Sequence, residues 1–370
     1  MQQFSTCQEV AMATTHVYTK TLTDSCRDHL QARLSSIVYP QDGYALYLAQ
    51  IANVRKSVLA DFADLHYFLN NAAGDRERYA AIRIVNLPVS EDVPLPPADG
   101  GSLKRIEREG YLSENVLTLV ASLFGSPYSM FCEGKGLINN LIPSRRASND
   151  LTGLGATSDL RFHIENAALR FLTGRDCSPK ALFIAGVRQD RTPPYTRLSD
   201  ARLALDLLDA EDRRVLASPS FKIRLPYRWR TYAPGYAAIT TGFVPLVEFR
   251  PDGTVVNAAF YGDMIAEAAS PRAQSAAERF EEALEQVAVN EIVAPGEMLG
   301  IDNRCTLHAR TPFPASFDEA GRAHRWAQRI FITDDLENFA GWDAPDDAVF
   351  APNFSPGRVP EGSAERALAM

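Results

Sequence analysis

Apolar residues recur at helical spacing through the first third of the chain and at strand spacing after it. Thr23 followed by Asp24 can cap a helix running to about Ile37. The threonine hydroxyl satisfies a first-turn N–H, and the acid meets the positive end of the helix dipole. The run GYALYLAQIANVRKSVLADFADLHYFL carries an apolar stripe at i, i+3 and i+4 and predicts further helix. YAAIRIVNLPV, from Tyr79, reads as a strand, and PLPPADGGS as a loop by its proline and glycine content. Ser113 with Glu114 opens another helix, ENVLTLVASLFG, which Gly125 ends.

After Gly125 the period shortens. LINNLIP (137–143), ALFIAGVR (181–188), FKIRLPYRW (221–229) and FVPLVEF (243–249) predict strands. Pro251-Asp252-Gly253 is a hairpin turn into TVVNAAF, and EMLGIDN, CTLHART and HRWAQRIFIT complete the set. SDARLALDLL and AQSAAERFEEALEQVA interrupt them as helices. Many short strands separated by turn signals indicate a sandwich or barrel. The expected fold class is therefore mainly β with flanking helices on an N-terminal helical scaffold. Residues 1–17 are expected to be loose, 18–340 to form one domain, and 341–370 to form an acidic surface tail.

Composition narrows the function classes. The formal charge of -8 sets the chain against a phosphate backbone, so no nucleic-acid partner is expected. No apolar run is long enough for a membrane span, and the first residues lack a basic segment leading into an apolar one. The five cysteines are scattered and form no CxxC, which fits reduced thiols in a cytoplasmic protein better than disulfides or structural zinc. Oligomeric state is left open.

The candidate chemistry lies in His163-Ile164-Glu165. On a strand, residues i and i+2 point the same way, so the histidine and glutamate can share one ion. Six histidines among 46 acids make such a triplet unremarkable alone, since a surface histidine beside a solvated glutamate gives the same letters. His308, far along the chain in DNRCTLHART, supplies the second imidazole that a two-histidine, one-carboxylate iron site needs. Arg325 and Arg329 follow in HRWAQRIFI, four apart and so on one face of a strand. Two cations on an inner face are costly unless anions arrive to pair with them. A 2-oxo acid and a substrate carboxylate would be such anions.

FHIEN, ALFIAGVRQDRTPPYT and IDNRCTLHARTPF with HRWAQRIFI resemble segments of the clavaminate synthase-like (TauD-like) iron(II)/2-oxoglutarate oxygenases, over roughly residues 112–333. Among these, the free amino acid hydroxylases acting on arginine, lysine or asparagine look most similar. The resemblance implies a double-stranded β-helix (jelly roll) with a lid. It also implies iron(II) on His163, Glu165 and His308, with 2-oxoglutarate's distal carboxylate on Arg325 assisted by Thr196. Arg329 is placed near the carboxylate of a small amino acid substrate. O2 is the second co-substrate, and decarboxylation of 2-oxoglutarate to succinate drives hydroxylation of an unactivated C–H. The link after Glu165 and the loop between His308 and Arg325 are longer than the family's usual ones.

Further substrate contacts are expected from the free oxygen of Glu165, from Glu133 in FCEGKG, and from Asp263 in NAAFYGDM. Acids there favour a cationic side chain, lysine or arginine in type. Gly155 to Ser158 precede the iron strand as a candidate mobile loop, with Ser158 a candidate substrate contact. PYRWRTYAPGYAAITTG is a candidate lid. Two other classes use part of the pattern: a metal-free jelly-roll binding protein, and a zinc hydrolase, for which the helical HExxH spacing is missing.

Overall fold

The change of period along the chain becomes a division of labour between layers. The computed structural model describes residues 13–352 and 354 except 76 and 77. Helices Asp24–Leu34, Tyr44–Asp61, Ala63–Gly74 and Leu112–Ala121 form the N-terminal scaffold. Thr23 caps the first of them, its hydroxyl accepting from the Cys26 N–H at 3.2 Å. The long apolar stripe is two helices, because the backbone leaves the helical region at Phe62 (φ -126°, ψ 76°). That break keeps Val58 and Leu59 on one side, and Leu65 and Leu69 on the other, turned into the same core.

The larger sheet centres on Trp326–Thr333. It pairs antiparallel with Ala181–Arg188 on one side and with Ser126–Met130 and Asn139–Leu141 on the other. Beyond Ala181–Arg188 come Glu297–Asp302, Ala81–Val85 and Tyr18–Thr21. A smaller sheet runs Val289–Glu291, Thr196–Asp200, Thr306–Arg310, Leu160–His163. Alternation sorts the side chains. Ala327 and Phe331 pack with Ile184, Leu299 and Ile301 between the sheets, whereas Ile330 and Ile332 pack outward against Leu30, Ile51 and Leu117 of the scaffold. Helix Pro271–Val287 covers the outer face of the smaller sheet, where the Ser199 hydroxyl donates to the Leu284 carbonyl at 2.8 Å. This is the expected double-stranded β-helix, with its helices on the outer faces. No helix among the described residues is long and apolar enough to cross a membrane.

Three expectations meet a different structure. The strand expected over 221–229 stops at Ile223, and Tyr227–Tyr232 is a short helix that follows Pro226. Proline fixes its own φ and suits a helix start, and the turn it opens buries Trp229 completely. The tail after residue 340 does not simply wrap the surface. Asp343–Asp346 and Val349–Ala351 extend the larger sheet, with Val349 paired in parallel with Ser129. Phe339 and Phe350, stacked at 4.4 Å, anchor it. Residues 355–370 lie outside the described residues, as do residues 1–12 of the expected loose N-terminus. Thr15, within the expected loose N-terminus of residues 1–17 but among the described residues, is buried. Its N–H donates to the Val287 carbonyl at 2.7 Å, and its hydroxyl accepts from the Asp200 N–H at 2.8 Å.

Gly186 shows how tightly the sheet is overlaid. A Cβ there would sit 2.2 Å from the Ala294 carbonyl oxygen, so the segment crossing the sheet at 293–295 depends on its absence. Gly186→Ala is expected to destabilise the protein by about 2 kcal/mol or more, since backbone must move to admit the methyl. Thermal denaturation followed by circular dichroism checks this. An unchanged midpoint would mean that the crossing segment lifts away freely.

Candidate active site

Sheet register builds the centre of the site. His163 ends its strand, His308 lies in the middle of Thr306–Arg310, and the two are direct cross-strand partners. Cross-strand partners share a face, and these rings sit 4.2 Å apart between centroids. Ile164 points the other way into the apolar cluster, so Glu165 returns to the histidine side. Regular pairing has ended by then, and Asn303 holds the Glu165 backbone instead. The Asn303 side chain accepts from the Glu165 N–H at 2.8 Å. It also donates to the Glu165 carbonyl at 3.1 Å and to the Pro179 carbonyl at 2.9 Å. Asn166 then takes a left-handed conformation (φ 55°) that turns the chain away.

The donor atoms of His163, Glu165 and His308 all lie within 4.8 Å of one another and are buried. Nδ1 of His163 is 2.8 Å from the Arg161 carbonyl, which can only accept, so Nδ1 carries the proton and Nε2 is bare. Burial, reinforced by His308 alongside, pushes the His163 imidazole down to about 3, so it is neutral at ordinary pH. Burial alone would raise Glu165, but the Arg329 guanidinium and then His308 hold it below the usual carboxylate range. His308 Nε2 lies 3.5 Å from a Glu165 oxygen, and His308 Nδ1 is buried without a partner among the described residues. Two imidazoles converging on a carboxylate in a desolvated pocket form a donor set for a divalent cation. Two histidines and one carboxylate on one side leave the other coordination positions open, as an iron(II) oxygenase requires.

Arg329 and Glu133 complete this pocket. One arm of Arg329 donates to Glu165, the other to Glu133 at 2.8 Å and to the Asn139 side-chain oxygen at 3.3 Å. Glu133 also accepts from the Trp229 indole at 2.8 Å. Burial would lower Arg329, but Glu165 and Glu133 outweigh it and hold the guanidinium above its usual value. Tyr227, Arg228 and Tyr261 line the same pocket, and the Tyr261 ring meets His163 edge-on at 4.9 Å.

A second cleft contains Arg325 and Thr196, with Asp190, Val293 and Ala327 in its wall. Thr196 lies opposite Arg310 on the face that His308 shares. Burial, then the charge of Arg310, push Arg325 down to about 10. Its guanidinium lies over the Phe313 ring at 5.5 Å, with no ion pair to a carboxylate among the described residues.

Two expected substrate contacts lie elsewhere. Asp263 does not line the pocket. Its exposed carboxylate is ion-paired with Arg230 at 2.8 Å and with Arg224 at 3.2 Å. The Ser158 hydroxyl donates to the Asn149 carbonyl at 2.7 Å, again away from the pocket lining. Sequence reasoning passed over Asn139, Arg228, Asn303 and Arg310. Arg310 gathers the carbonyls of Thr152, Gly155 and Ser158, so the loop before the iron strand is tied to the His308 strand. Its position two residues after His308 was the available signal.

A jelly roll carrying a buried two-histidine, one-carboxylate site has the make-up of a non-haem metal-dependent oxygenase. The family described as "Taurine catabolism dioxygenase TauD, TfdA family" matches residues 143–331. The chain belongs to this family of iron(II)/2-oxoglutarate-dependent dioxygenases. It is 29% identical over 259 residues to an L-asparagine oxygenase of Streptomyces coelicolor, spanning 69% of this chain and 72% of the relative. It is 27% identical over 297 residues to clavaminate synthase 2 of Streptomyces clavuligerus, spanning 78% and 83%. A solved asparagine oxygenase in complex with Fe(II), 2S,3S-3-hydroxyasparagine and succinate superposes with a TM-score of 0.77 at 23% identity, covering 91% of this chain and 100% of that one.

Asn303 touches no metal-donor atom but fixes the backbone of Glu165. Asn303→Ala is expected to weaken iron(II) affinity roughly 10- to 100-fold, as loss of a supporting contact typically does. Anaerobic metal titration checks this, with circular dichroism confirming that the variant is folded.

Proposed function

We propose that this protein hydroxylates an unactivated C–H of a free L-amino acid. In this reading iron(II) sits on His163, Glu165 and His308, and 2-oxoglutarate's distal carboxylate sits on Arg325 with Thr196. The observation that carries the reading is a buried cluster of two imidazoles and a carboxylate, together with a second cleft whose Arg325 makes no carboxylate ion pair among the described residues. A guanidinium binds carboxylate in a two-pronged fork, which fixes direction as well as charge. The bound iron, with 2-oxoglutarate and O2, supplies the oxidising power, releasing succinate and CO2. The protein's residues do the rest. Arg329 meets the substrate's α-carboxylate, while Glu165's second oxygen and Glu133 face its ammonium. Trp229 and the short helix around it keep water from that side of the pocket. Glu165 fills a ligand position that would otherwise be open to halide, which favours hydroxyl transfer over halogenation.

The similarity to an L-asparagine oxygenase supports a free amino acid as substrate. The cationic preference expected from the sequence rested on Asp263 and Glu133. Asp263 is already neutralised by two arginines outside the pocket, and Glu133 by Arg329 within it. The preferred side chain therefore has to be read from other groups.

The test is a mass-spectrometric screen of free amino acids with iron(II), ascorbate and 2-oxoglutarate. At least one is expected to gain a single oxygen in step with succinate release. Iron-loaded protein that releases no succinate above background with any of them would defeat the reading. Arg325→Ala is expected to raise the KM for 2-oxoglutarate by more than about 10-fold, since a charged hydrogen-bonded pair is lost. Initial rates against 2-oxoglutarate concentration measure it.

A further inference from the structure

The arginines around the site differ in what they already hold. Arg329 carries Glu165 and Glu133, and Arg230 carries Asp263. Arg325 faces the cleft assigned above to 2-oxoglutarate. Arg228 has none of these arrangements. It lies in the helix Tyr227–Tyr232, lines the pocket with Glu133, Glu165 and Arg329, and gives one arm to the Gly101 carbonyl at 2.8 Å. No carboxylate forms an ion pair with it among the described residues. Burial lowers its basicity, Glu133 opposes that, and Arg329 adds to it.

Charge accounting points the same way. The arginines and carboxylates lining the pocket are Arg228 and Arg329 against Glu133 and Glu165. The second cleft and its rim add Arg188, Arg325 and Arg310 against Asp190. Iron(II) and doubly charged 2-oxoglutarate cancel each other, and a free amino acid brings a neutral zwitterionic head. The two clefts together keep two positive charges in excess, and Arg228 is a guanidinium of the substrate pocket with no carboxylate ion pair among the described residues. A lysine or arginine side chain would add a further cation to a desolvated pocket, which is costly without a partner.

The geometry points to Arg228 as a specificity-determining residue that selects a free amino acid whose side chain ends in an oxygen acceptor, a carboxylate or carboxamide. This rests on the amino acid hydroxylase reading above. A substrate head placed on Arg329 and Glu165 would extend its tail past Glu133 towards the short helix, where Arg228 waits with donors only.

The experiment compares wild type, Arg228→Lys, Arg228→Gln and Arg228→Glu on aspartate, asparagine, glutamate, glutamine, lysine, ornithine, arginine and leucine. Product mass and succinate are read as kcat and KM separately. Anaerobic binding of iron and 2-oxoglutarate serves as the control that each variant is folded. Wild type is expected to favour an acceptor-ended amino acid over the basic ones by at least about 10-fold in kcat/KM. Arg228→Gln should raise KM for that substrate about 10- to 100-fold with a smaller change in kcat, and Arg228→Lys should restore part of it. Arg228→Glu should shift preference towards lysine or ornithine. Wild type preferring a basic or aliphatic amino acid would overturn the proposal alone. So would an Arg228→Gln variant that weakens all amino acids equally, because Arg228 would then hold the common head. Wild type that oxidises none of the panel, with no succinate formed, would bring down the function reading and this proposal together.

Discussion

The site depends on one pairing register. His163 and His308 belong to strands far apart in sequence, and the antiparallel ladder sets them opposite each other on the inner face. A one-residue slip of either strand would turn its histidine into the outer apolar layer and leave a hydrophobic side chain in its place. The outer layer resists that slip. Phe162 and Leu307 are wholly buried on the far side of the same strands, and helix Pro271–Val287 seals it through Phe280 and the Ser199–Leu284 hydrogen bond. Metal geometry is thus enforced by packing on the face away from the metal.

Register alone does not finish the donor set, because the first strand ends at His163. Glu165 stands beyond the ladder, where a backbone free to rotate would lose much of the chelating geometry. Asn303 supplies a side-chain substitute for a strand partner, binding both the N–H and the carbonyl of that residue. The segment that delivers Asn303 leads into the strand of His308. The same connection therefore carries the second imidazole and the clamp on the carboxylate, so the third donor is tied to the position of the second.

This explains what could and could not be read from the letters. The helical and strand periods located most elements because those signals are local, and the H-x-E triplet with a distant histidine named three side chains that the fold brings together. The role of Asn303 lay inside a segment already singled out and was missed, since what it binds depends on a turn after Glu165. Asp263 misled for a related reason. A carboxylate two residues after Tyr261 looks available in sequence, but Arg224 and Arg230 come from separate elements to claim it. The PYRW segment read as strand because its aromatics suit one. The proline before Tyr227 set a helix instead and turned Arg228 to the pocket.

The polar contacts of that short helix connect substrate recognition to the metal. The Trp229 indole holds Glu133, Glu133 holds Arg329, and Arg329 holds Glu165. Each link is buried, so breaking one leaves a charge or donor unsatisfied, and the chain responds as a unit. In the proposed reading, an amino acid entering this pocket would exchange contacts with that chain, its carboxylate replacing a glutamate on Arg329. A carboxylate arriving at Arg329 would then compete with Glu165 and Glu133 for one guanidinium.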